Sequence, residues 1–134
     1  MQFAADRMAS TPFARARVLF ALLLAVTAVN HARLAATGAP ANSTRHAVFV
    51  GLNLGLAGLL VARPGWALVP AALLAVQQLY SHGSDLLASV REPGPFDWAS
   101  VGVLVFFPAL LTLLVVERRR AGTPAPPPAA PPGS

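Results

Sequence analysis

The chain has 134 residues, of which 55% are hydrophobic and 11% charged, with a mean hydropathy of +0.60. A soluble domain carries roughly a quarter charged residues, so this composition argues against one. All ten basic residues are Arg, the net charge is +5 and Cys is absent, which removes disulfides, thiolate nucleophiles and Cys-ligated zinc or iron–sulfur clusters.

Residues 1–11 read as a short cytoplasmic N-terminus. Residues 18–30 form an uncharged apolar run flanked by Arg15 and Arg17 before it and by His31 and Arg33 after it. Thr11 followed by Pro12 is a helix-start signal, so the first predicted helix covers about 12–36. It crosses a bilayer if its flanking Arg side chains reach up to the headgroups. A cleaved secretory signal has the same basic start, short apolar stretch and small-residue ending. The charged His31–Arg33 region beside that ending favours a retained helix. Gly38, Ala39, Pro40, Asn42 and Ser43 then read as a loop.

A spanning helix needs about 20 mostly apolar residues. The second predicted span, 46–62, is slightly short. The third, 66–84, and the fourth, 98–116, contain no formal charge. Trp66 and Trp98 open these two helices, where indole rings favour the membrane interface, and Asp97 can cap the fourth. Pro93, Gly94 and Pro95 separate them. Residues 120–134 read as a disordered Pro-rich tail, since 122–134 hold six of the thirteen prolines with no periodic apolar face. The predicted fold is therefore all-α: an integral membrane four-helix bundle with short loops over 12–119.

Charge placement orients it. With four spans, the side holding both termini receives Arg7, Arg15, Arg17, Arg63, Arg118, Arg119 and Arg120, while the other side receives Arg33, Arg45 and Arg91. Positive residues concentrate in the cytoplasm, so both termini are expected there, in the plasma (inner) membrane of a bacterium. The basic balance is a topology signal and calls for no nucleic-acid partner. The Arg-only, Ala/Leu/Pro-rich usage points to a GC-rich bacterial genome.

Within the spans, Gly51, Gly55 and Gly58 share one stripe of the second helix, an arrangement expected to admit a neighbouring helix. Pro108 interrupts one backbone hydrogen bond of the fourth. Polar residues inside a bilayer are costly unless partnered. They gather in one half: Thr27, Asn30 and His31 on the first helix, His46 and Asn53 on the second, and Gln77, Gln78, Ser81, His82 and Asp85 on the third. Alternating topology sets His31, His46 and His82 at the outer face, with Arg33 and Arg45 at the same level.

A pocket for a small amphipathic ligand is the leading expectation. Its predicted lining is His31, Arg45, His46, Asn53, Gln77, Gln78, Ser81, His82 and Asp85, with Arg45 facing an anion and His82 with Asp85 relaying protons. The competing expectation is a metal- or haem-binding redox subunit. In it His31, His46, His82 and Asp85 hold a divalent metal, or His31 and His82 ligate haem. A small transporter stands third, since no carboxylate lies at mid-span and no half is repeated. The sequence contains no nucleophile elbow, Walker A loop or dinucleotide fingerprint, so a binding or accessory role is expected over an enzymatic one. Its partners would be the bilayer, that ligand, and further copies or a larger membrane complex.

Overall fold

The computed structural model describes residues 12–38 and 40–122. They form four helices: α1 Pro12–Thr37, α2 Pro40–Ala62, α3 Pro64–Arg91 and α4 Trp98–Ala121. The N-terminal stretch 1–11 and, from Thr123 onward, the Pro-rich tail lie outside the described residues.

Three helix starts carry proline, whose fixed φ suits the first helical turn and whose missing N–H would have no partner there. That is why α2 begins at Pro40: Asn42 and Ser43, expected in a loop, are helical, and the Ser43 hydroxyl donates back to the Ala35 carbonyl at 2.6 Å. The α2–α3 turn is Arg63 alone. Asp97 caps α4, its carboxylate accepting the Ser100 amide at 3.0 Å. At the other end α4 continues through Arg118, Arg119 and Arg120, good helix formers whose charge complements the C-terminal dipole. Residues 120 and 121 thus belong to the helix and not to the tail.

Helix α3 runs to Arg91, seven residues beyond the expected end. Leu86, Leu87, Ala88 and Val90 sustain it until Glu92, which precedes Pro93 and adopts extended backbone as a pre-proline residue prefers. Residues 92–97 then fold back along α3, with the Asp97 amide reaching the Ser89 hydroxyl at 3.4 Å. The last two turns of α3 consequently overhang the start of α4.

The helices pack in the cyclic order α1–α2–α3–α4, tightly within the α1–α2 and α3–α4 hairpins, less so between α2 and α3, and least along the α1–α4 seam. Small side chains let backbones approach: Ala21, Ala28, Ala67, Ala71 and Ala75 are buried, as expected where close packing drives association. Leu24, Leu60 and Leu110 fill the centre. Bulky aliphatics face outward instead, among them Val26, Val29, Leu73 and Val76. The Gly51, Gly55 and Gly58 stripe also faces outward, and a Cβ added at any of the three would meet nothing within 4 Å. It admits no neighbour within the bundle.

Three helical segments, Pro12–Thr37, Asn42–Ala62 and Trp98–Ala121, are long and apolar enough to cross a membrane. The expectation that 66–84 qualifies as cleanly as 98–116 is not met. Helix α3 has the length, with 28 residues, but Gln77, Gln78, Ser81, His82 and Ser84 are hydrophilic despite lacking formal charge.

Candidate functional site

The α1–α4 seam is closed at one end only. There Arg17 pairs with Glu117, the Arg120 guanidinium lies 4.8 Å over the Phe13 ring, and Phe20 meets Phe106 edge-to-face at 5.1 Å. Toward the other end the helices part around a cleft of about 620 Å³. Leu23, Val26, Thr27 and Asn30 of α1 form one lip, and Ala99, Gly102, Val103 and Phe106 of α4 form the other. The back wall comes from α2 and α3 with His46, Asn53, Gln78 and His82. The size and the mix of apolar walls with few polar groups fit a small-molecule site. Since most lip residues are exposed, the cleft opens sideways, between helices.

All three histidines line this cleft, but they do not sit at helix ends. Six helical residues follow His31 and six precede His46, while nine follow His82. At about 1.5 Å per residue, this sets them roughly 9–14 Å inside the helix termini. His31 and His46 meet through their Nδ1 atoms at 3.0 Å, so one ring donates and the other accepts. His31 also stacks on Phe49, ring centroids 5.2 Å apart.

His82 is held separately. Its Nδ1 lies 2.9 Å from the Ser100 hydroxyl oxygen, and that hydroxyl in turn donates to Oδ2 of Asp97. Ser100 is fully buried. Hydrogen bonds from its hydroxyl and amide hold the Asp97 carboxyl below the ordinary carboxylate range, because they favour the ionised form.

Asn53 is 2% exposed, and its Nδ2 has no hydrogen-bond partner among the described residues. Gln78 is buried beside the same cavity. Gln77 is exposed and does not line it. Adjacent helical residues point about 100° apart, and of the two glutamines Gln78 is the one that faces inward.

Arg45 stays at the exposed rim, donating to the Ser81 hydroxyl at 3.1 Å and so tying α2 to α3. Asp85 rides on the overhang of α3, exposed and away from the cleft. The carboxylate joined to His82 is Asp97, through Ser100, and not Asp85. Among the described residues no three His, Asp or Glu side chains gather closely enough to hold a metal ion.

The sequence marks Asp97 as a cap but not its link through Ser100 to His82. The signal was present in Asp97-x-x-Ser100 at a helix start. It became legible only with the fold-back of 92–97, which lowers Ser100 to the level of His82.

No protein-family model matches this chain, and neither the curated proteins nor the solved structures include a match.

Proposed function

We propose that this chain is a four-span protein of a bacterial plasma membrane, with both termini cytoplasmic, and that its cleft binds an amphipathic small molecule entering sideways from the lipid. The observation that carries the binding role is Asn53. A buried amide hydrogen left without an acceptor costs about 1–3 kcal/mol, and Asn53, whose Nδ2 lacks one among the described residues, lines the cleft. A ligand carbonyl or hydroxyl supplies that acceptor while its tail lies against Leu23, Val103 and Phe106.

Membrane insertion is supported by the many bulky aliphatics on the outer surface, among them Val26, Val29, Leu73 and Val76, which lipid would cover. Helix α3 packs between α2 and α4 and turns its hydrophilic Gln78 and His82 toward the cleft, which lets a less apolar helix cross with its neighbours. Seven Arg on the terminal side against three on the other support the orientation.

The test uses the full chain in lipid nanodiscs and a fluorescent alkyl ketone as probe. Saturable binding beyond that of empty nanodiscs is expected. Gly102→Trp, which fills the mouth where nothing lies within 4 Å of an added Cβ, should abolish it. Asn53→Leu should weaken it about tenfold, the equivalent of one hydrogen bond. No saturable binding would overturn the binding role. A reporter fused after Ser134 should be active only in the cytoplasm, and periplasmic activity would overturn the four-span topology.

A further inference from the structure

The hydrogen bonds around His82 fix which ring nitrogen carries its proton. Asp97 is ionised and accepts only, so the Ser100 hydroxyl spends its single hydrogen on Oδ2 of Asp97. The Ser100 oxygen must then accept from its other neighbour, Nδ1 of His82, 2.9 Å away. A neutral imidazole has one N–H. With that hydrogen at Nδ1, Nε2 is left as a lone-pair acceptor on a ring that lines the cleft. Ser100 and Asp97 are thus positioning residues, setting the tautomer as the partner of one ring nitrogen usually does.

Two complementary polar groups therefore belong to residues that line the cleft: a donor, Asn53 Nδ2, that lacks an acceptor among the described residues, and an acceptor, His82 Nε2. We infer that the cleft selects amphiphiles whose headgroup carries a hydroxyl, with His82 Nε2 accepting the hydroxyl hydrogen while a headgroup oxygen accepts from Asn53. This rests on the proposed reading that the cleft binds an amphiphile. It adds the headgroup chemistry, an O–H that a ketone or an ether lacks. Phenols and aliphatic alcohols share that group.

Two measurements on the full chain in nanodiscs test it. The first needs no ligand: ring nitrogen-15 spectra of histidine-labelled protein, with the His82 signals assigned by their loss in His82→Gln. The expected result is the Nδ1–H tautomer in the wild type and a shift toward Nε2–H in Ser100→Ala. An Nε2–H ring in the wild type overturns the inference and leaves the binding role standing.

The second measurement displaces the fluorescent ketone with a dodecylphenol, dodecanol and their methyl ethers. Each hydroxyl probe should bind about tenfold tighter than its ether, as expected when a buried acceptor is left unpaired. The preference should vanish in His82→Leu and survive in His82→Gln, whose side-chain oxygen still accepts. A preference shown by the phenol alone assigns an aromatic headgroup, and one shown by both assigns the hydroxyl itself. Equal binding of hydroxyl and ether, or a preference that persists in His82→Leu, overturns the inference alone. Failure of every probe to bind overturns it together with the binding role.

Discussion

Arg17 of α1 and Glu117 of α4 form an ion pair that closes the seam at the end away from the histidines. Their side chains are 16% and 27% exposed, so neither charge is fully hydrated and each depends on the other. Removing one partner leaves the second charge partly buried and unpaired. Glu117→Gln should destabilise the protein by about 1–3 kcal/mol. Arg17→Gln with Glu117→Gln should cost no more than either single change. Unfolding in mixed detergent micelles measures the cycle, and additive losses would mean that the two residues do not act as a pair.

The central leucines offer a different contrast. Leu110 is fully buried, whereas Val105 on the same helix is 64% exposed. In lipid, a truncated side chain loses packing rather than shelter from water. Leu110→Ala should therefore cost about 2 kcal/mol, near the lower end of what core cavities cost. Val105→Ala should fall within about 0.5 kcal/mol of the wild type. The same unfolding assay decides, and equal losses at both positions would contradict the packing described above.

Much of the helical fold could be read in the chain because its signals are local. Pro12 marks the start of α1, Asp97 caps α4, and Ala62 and Trp98 fall at predicted boundaries. The common level of His31, His46 and His82 followed from alternating helix direction. What escaped was set by contacts between distant segments. The overhang of α3 depends on where 92–97 turn back, and it decides that Asp97, not Asp85, is linked to His82. The direction of the Gly51–Gly55–Gly58 stripe likewise depends on which face of α2 its neighbours choose, and a sequence period cannot tell inward from outward.

Acid should reveal the Asp97 cap. Hydrogen bonds from the Ser100 hydroxyl and amide lower the Asp97 carboxyl below its unfolded value. Stability from this group is thus fully present above the ordinary carboxylate range and is lost as pH falls through the lowered folded value. Thermal unfolding between pH 7 and pH 2 should decline on its acid side in the wild type. In Asp97→Asn the part of that decline due to this group should be missing. Identical acid limbs in the two proteins would show that Asp97 is not held by Ser100.

Glycine substitutions should separate two positions that look alike in sequence. A Cβ at Gly38 would lie 2.6 Å from the Leu34 carbonyl oxygen, the same oxygen that accepts the Gly38 amide at 2.8 Å. Gly38→Ala must therefore displace backbone at the end of α1, and a loss of stability is expected. At Gly55 an added Cβ meets nothing within 4 Å, and alanine is the better helix former by about 0.8–1.0 kcal/mol. Gly55→Ala should leave stability unchanged or raise it by up to that amount. Comparing the two variants in one unfolding series checks both expectations. A loss at Gly55 as large as that at Gly38 would mean that another helix packs against the outward stripe of α2.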